Sequence, residues 1–125
     1  MTAKKTCLVV DDAEVIRRVA RQIIETLDFD VSDADSGQRG VESCQAAMPD
    51  VILVDWHMPG MATLEFILSV RKLPGGGQPL IIYCTTDNDP VDIARALAAG
   101  ANEFILKPFD RQGLTAKLAE QLQPA

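Results

Sequence analysis

The stretch Val51-Ile52-Leu53-Val54-Asp55-Trp56-His57-Met58-Pro59-Gly60-Met61 constrains this chain more than any other. Four consecutive apolar residues, without alternation, mark a strand buried on both faces, and such strands belong to mostly parallel sheets covered by helices. The run ends on a carboxylate and breaks at once into a Pro-Gly turn. Carboxylates are rarely buried unless something pairs with them. Asp55 therefore demands partners from elsewhere in the chain.

Similar runs recur. Residues 6–10 (TCLVV) stop at Asp11-Asp12, residues 80–84 (LIIYC) at Thr85-Thr86, and residues 103–106 (EFIL) at Lys107-Pro108. Residues 30–34 (DVSDA) are a weaker candidate, with Val31 alone showing clear strand preference. Between these runs the apolar period changes to that of a helix. Val15, Ile16, Val19, Ala20, Ile23, Ile24 and Leu27 predict a helix over about 13–27. A second opens at Ser36 or Gly37, runs through Val41, Cys44 and Met48, and is closed by Pro49. Leu64, Ile67, Leu68 and Arg71 mark a third, ending before Pro74-Gly75-Gly76-Gly77, which reads as the most flexible connector. Asp89 caps a fourth with Pro90 in its first turn, Gly100 stops it, and Val91, Ala94, Leu97 and Ala98 are its expected packing face. Leu114, Leu118 and Leu122 space a fifth. Five strands alternating with five helices predict a doubly wound α/β fold around a mostly parallel sheet.

The 125 residues suit one domain, 1–125, and leave no room for an output module after the last helix. No apolar stretch approaches the roughly 20 residues of a membrane span, and the run Cys7 to Val10 is too short for a secretory signal. Cys7, Cys44 and Cys84 are an odd number without C-x-x-C spacing, which points to a reducing cytoplasm and no zinc. A formal charge of −6 with no basic cluster argues against nucleic acid as a partner, because that affinity comes mainly from phosphate neutralisation.

Ligands of such folds bind outside the carboxyl ends of the strands. The residues there are Asp11, Asp12, Asp55, Thr85, Thr86 and Lys107. Asp33 and Asp35, at the end of the weak strand, read as solvated surface. Three convergent carboxylates repel unless cations compensate. Mg²⁺ suits them, because it prefers oxygen ligands and binds through one or two carboxylates, waters and a phosphate. Asp12 and Asp55 fit the carboxylate roles, with Asp11 acting through water. Lys107 supplies a mobile charge and Thr85 a hydroxyl for phosphoryl oxygens. Asp55 is thereby equipped as a nucleophile for phosphoryl transfer.

Asp11-Asp12 after the first strand, Asp55 followed by Met58-Pro59-Gly60, Thr85 ending the fourth and Lys107-Pro108-Phe109 after the fifth together resemble a response-regulator receiver domain of two-component signalling. The resemblance covers essentially the whole chain and implies the flavodoxin-like sheet order 2-1-3-4-5. It also implies a standalone regulator phosphorylated on Asp55 by a histidine kinase or phosphotransfer protein, with Mg²⁺ on Asp12, Asp55 and the backbone carbonyl of His57. Thr85 and Lys107 would bind the phosphoryl group, and the Lys107-Pro108 bond would be cis. Output would pass through a change in the surface of helix four, strand five with its Phe104, and helix five to a downstream protein target. The regulator itself would be a monomer or weak dimer that catalyses only its own phosphorylation and dephosphorylation.

The chain also departs from the family. Ala62-Thr63 replaces a frequent Asp-Gly, Thr86 puts β-branched bulk beside Thr85, and Phe104 stands where tyrosine is frequent. His57 and Asp87 occupy positions that tune phosphoryl lifetime in the family. These departures keep two alternatives in view, a receiver-like interaction module that does not switch and a phosphate sink. An aspartate-nucleophile phosphatase is disfavoured by His57 in place of a second acid-base aspartate. A dinucleotide or flavin site is disfavoured by DDAEV in place of a glycine-rich turn.

Overall fold

The computed structural model describes residues 4–86 and 89–122, with side chains as far as residue 119. Its strands are β1 (Thr6–Val10), β2 (Asp30–Ala34), β3 (Val51–Asp55), β4 (Leu80–Thr85) and β5 (Glu103–Leu106). All pair in parallel in the order β2-β1-β3-β4-β5. The intervening helices are α1 (Glu14–Glu25), α2 (Gly37–Ala46), α3 (Thr63–Lys72), α4 (Pro90–Ala99) and α5 (Arg111–Leu122). The doubly wound fold expected from the alternation is the one observed. DVSDA does form a strand, pairing with the buried β1 on one side only. Both β3 and β4 run one residue further than expected, so Asp55 and Thr85 belong to strands.

Side chains alternate between the two faces of each strand, and the sheet separates two apolar cores. Leu8, Val10, Ile52, Val54, Ile81 and Tyr83 pack with Cys44, Phe66, Ile67, Val70 and Ala96 of α2, α3 and α4. Cys7, Val9, Val51, Leu53, Ile82, Cys84 and Ile105 pack with Ala20, Ile23 and Ile24 of α1 and Leu114 and Leu118 of α5. The three cysteines are free and buried, as small hydrophobes would be, and burial pushes the thiols up, to about 12 for Cys7 and about 11 for Cys44. Such thiols are inert at neutral pH.

Several helix boundaries carry their expected chemistry. The Ser36 hydroxyl accepts from the Arg39 N–H at 3.2 Å, and the Asp89 carboxylate accepts from the Val91 N–H at 2.9 Å. Gly100 ends α4 with φ of 130°, a conformation that L side chains rarely adopt. Met48 lies beyond the end of α2, half-buried against the first core. The side chain of Leu122 lies outside the described residues.

Two expectations are corrected. The packing face of α4 is Ile93 and Ala96, while Val91 is 57% and Leu97 41% exposed; Ala94 and Ala98 also face outward. A similar rotation leaves Val15 and Val19 of α1, and Leu68 of α3, exposed. The glycine connector is also not free. The Arg71 guanidinium donates to the carbonyls of Gly76, Pro79 and Gly100 and to the Asn102 side chain, at 2.6–3.0 Å. Asn102 Oδ1 in turn accepts from the Ile81 N–H at 2.8 Å, which ties the connector to β4. A Cβ on Gly76 would lie 1.9 Å from the Val70 carbonyl oxygen. Gly76→Ala is therefore expected to cost about 2 kcal/mol by overpacking, measured as a lower urea midpoint with unchanged slope.

Candidate functional site

Strand phase selects which side chains meet at the carboxyl end of the sheet. Asp11 continues the phase of Cys7 and Val9, Asp55 that of Val51 and Leu53, and Lys107 that of Ile105; all of those residues face the α1/α5 core. At the ends of β1, β3 and β5 the apolar series thus changes to charge. Thr85, by contrast, continues the phase of Ile81 and Tyr83, which face the other core. Asp55 pairs in register with Cys84, the residue before it.

The Lys107 ammonium donates to Asp55 Oδ1 and to Asp11 Oδ2, each at 2.6 Å. Asp11 Oδ1 also accepts from the Ala13 N–H at 2.9 Å, and Arg17 donates to the Asp11 carbonyl at 2.7 Å. Asp11 and Asp55 are 3% and 6% exposed, whereas Asp12 faces solvent. One oxygen from each of Asp11, Asp12 and Asp55 lies within 4.8 Å of the others. Three carboxylates confront one ammonium here, so negative charge is in excess. Burial accordingly raises the Asp55 carboxyl above its ordinary value, Lys107 opposes that shift, and Asp11 and Asp12 add to it. Burial also disfavours the charged form of Lys107, but its two carboxylate partners more than offset this and hold its pKa above the usual lysine value.

Below the cluster a void of about 10 Å³ between Asp55, Asp11, Cys84 and Leu53 has room for one water at most. A larger ligand must therefore approach from the outer side, where Asp12 is exposed. A mostly apolar groove of about 430 Å³ opens beside Lys107, between Ile16 and Val19 of α1 and Thr86, Pro108 and Phe109.

The chain matches the response regulator receiver domain family over residues 7–119. It belongs to that family. Among similar proteins, the chemotaxis protein CheY1 of Helicobacter pylori is 36% identical over 113 residues, covering 89% of this chain and 91% of that one. A chemotaxis protein CheY homolog of Campylobacter jejuni is 34% identical over 119 residues, covering 92% and 90%. The structure of chemotaxis protein CheY4 of Vibrio cholerae has a TM-score of 0.92 at 30% identity, covering 96% of this chain and all of that one. The receiver domain of a sensor histidine kinase of Pseudomonas aeruginosa has a TM-score of 0.86 at 27% identity, covering 94% and 97%, and holds a magnesium ion in its active-site cleft.

Within this receiver domain, the predicted residues Asp11, Asp12, Asp55 and Lys107 are brought together, with Thr85 buried at the adjoining strand end. The Lys107-Pro108 bond is cis. Lys107 is held by two carboxylates and is not the mobile charge expected from its chemistry alone. Asp33 and Asp35 are exposed, as read, and form surface ion pairs, Asp33 with Arg17 at 3.5 Å and Arg21 at 4.0 Å and Asp35 with Arg39 at 3.5 Å. His57 is exposed, its ring 5.4 Å from that of the half-exposed Trp56. Asp87 lies outside the described residues.

The residues missed from sequence are Arg17 and Thr63. Arg17 reads as the polar face of α1 yet reaches back to Asp11. Thr63 stood out only as a departure from the family, but its hydroxyl donates to the backbone carbonyl of Asp55 at 2.6 Å.

Proposed function

We propose that this receiver accepts a phosphoryl group on Asp55 from a histidine kinase or phosphotransfer protein, with Mg²⁺, and passes the change to a downstream protein. The observation that carries the proposal is the excess of carboxylate over ammonium around Asp55. A buried anion disfavoured where it stands is held ready for an electrophile and a cation. The oxygens of Asp11, Asp12 and Asp55 lie close enough to share a hard divalent ion, and their chemistry suits Mg²⁺. The resemblance adds the His57 carbonyl to that set. When bound, Mg²⁺ would neutralise charge on the phosphoryl oxygens and the carboxylates.

The chain's own residues supply the rest. An Asp55 carboxylate oxygen attacks phosphorus as the bond to the donor's imidazole nitrogen breaks; the electron pair stays on that nitrogen, and the proton already on the other ring nitrogen leaves the imidazole neutral. Lys107, already hydrogen-bonded to that carboxylate, turns toward the incoming phosphoryl oxygens, and Thr85 donates its hydroxyl to another. Positioning and charge neutralisation carry most of such a reaction. The groove between α1 and Pro108 gives a donor protein a place to rest beside the site.

The output surface consists of α4, β5 and α5. Val91, Leu97 and Leu106 are exposed there, and Lys117 sits 5.6 Å from the centre of the half-buried Phe104 ring. A groove of about 550 Å³ runs between β5 and α5, lined by Phe104, Leu106, Phe109, Gly113 and Lys117 among others. Phosphorylation would shift the population of two arrangements of this surface through new contacts at Thr85.

Incubation with acetyl phosphate and Mg²⁺ is expected to give one phosphoryl adduct by intact mass, and none with EDTA. Absence of an adduct both here and with a cognate kinase would turn the reading toward a non-switching interaction module.

A further inference from the structure

We infer that Thr63 is a positioning residue for the phosphoacceptor. This rests on the proposed role of Asp55 and deepens it.

The peptide unit joining Asp55 to Trp56 is held at both ends. Its N–H, from Trp56, donates to the Cys84 carbonyl of β4 at 2.8 Å. Its C=O, from Asp55, accepts from the Thr63 hydroxyl of α3 at 2.6 Å. Thr63 is 5% exposed. It is the first residue of α3, and no side chain caps that helix at Ala62. The hydroxyl is therefore committed to the strand end and not to its own helix.

Two bonds of different direction fix the plane of one peptide, and that plane sets two things at once. On its N-terminal side it sets the direction in which the Asp55 carboxylate leaves the backbone toward Lys107 and Asp11. On its C-terminal side it sets the course of the loop through His57, whose backbone carbonyl is the expected metal ligand. Among the described residues no further hydrogen bond holds the loop between Trp56 and Met58, which is buried in the first core. A glycine at position 63 would have no hydroxyl to make this contact. Geometry of this kind supports a metal ligand from behind, where loss of one partner typically weakens metal affinity or activity about 10–100-fold.

Thr63→Val keeps the shape and removes the hydroxyl, and Thr63→Ser keeps the hydroxyl. Each is titrated with Mg²⁺ by fluorescence of Trp56, the chain's single tryptophan, and assayed for phosphorylation by acetyl phosphate at saturating Mg²⁺. Melting temperatures in EDTA report fold stability separately. If the valine variant does not fold by circular dichroism, Thr63→Ala takes its place. The expected result is about a tenfold loss of Mg²⁺ affinity in Thr63→Val, slower phosphorylation, and recovery of both in Thr63→Ser. Unchanged Mg²⁺ affinity with a lowered melting temperature overturns the inference, because Thr63 would then only brace α3. A wild type that binds Mg²⁺ but takes no phosphoryl group from acetyl phosphate or from a cognate kinase refutes the role of Asp55, while the titrations still decide whether Thr63 sets the metal site. A wild type that does not bind Mg²⁺ overturns both.

Discussion

Asp55→Asn is expected to abolish the phosphoryl adduct and at the same time to make the Mg²⁺-free protein more stable. The first effect follows from replacing the nucleophilic oxygen by an amide. The second follows from the charge imbalance, because one of three crowded carboxylates is removed while Lys107 keeps Asp11 as a partner at 2.6 Å. The native state holds the Asp55 proton more firmly than the unfolded chain does, since its carboxyl is raised by burial. Stability contributed by this group is therefore greatest below the unfolded carboxyl value and is lost as pH rises through the native value. The gain of the asparagine variant over wild type should thus be small in acid and grow toward neutral pH. In a chain of this size each kcal/mol corresponds to roughly 3–6 °C in melting temperature. Differential scanning calorimetry of both proteins in EDTA, at several pH values, measures it. A difference independent of pH would show that Asp55 is not the disfavoured group. Adding Mg²⁺ should stabilise the wild type and do less for the variant.

Lys107→Met has the opposite sign on stability. It leaves Asp11 and Asp55 facing each other with no ammonium between them, and removing one partner of a buried pair costs several kcal/mol. Because the site opens to solvent at Asp12, about 3 kcal/mol is expected, near the low end of that range. Chemical denaturation at neutral pH checks this, and part of the loss should return on adding Mg²⁺. The Lys107 contribution is fully present below the unfolded lysine value, because the pKa is raised in the native state, and it is lost only as pH rises through that raised value. The wild-type advantage should therefore be greatest around neutral pH, shrinking in strong alkali as Lys107 loses its proton and in acid as Asp55 gains one. Phosphorylation should fall at least as steeply as the metal-free stability, and without the recovery on adding Mg²⁺, since the lost ammonium would have met the phosphoryl oxygens. A variant as stable and as readily phosphorylated as wild type would leave Lys107 a surface residue in effect.

Much of this was legible in one dimension, because the strands are continuous apolar runs and the charged residues follow them directly. The phase of those runs was not legible, because every position is apolar; the parallel register is what sets Cys7, Val9 and Asp11 on the same face as Val51, Leu53 and Asp55. Other features were closed to such reading for physical reasons. In α4 only Asp92 and Arg95 are charged and apolar residues occupy the rest of the surface, so periodicity could not choose Ile93 and Ala96 over Val91 and Leu97. Pro-Gly-Gly-Gly has the composition of a flexible linker, but its rigidity comes from Arg71, whose partners Gly100 and Asn102 lie about 30 residues away. The bond from Lys107 to Asp11 spans 96 positions. Thr63 reads as a helix start, and only the closed loop shows that its hydroxyl turns back on Asp55.

The division of the molecule into two cores has a consequence for how a message crosses it. Asp55 is phased with the layer behind α1 and α5, and Thr85 with the layer behind α3 and α4. A group bonded to the first and hydrogen-bonded to the second would act as a clasp across the rim of the sheet, joining two layers that otherwise meet only through backbone. News of its arrival could then travel to α4 along the margin, with the apolar interior left as it was packed.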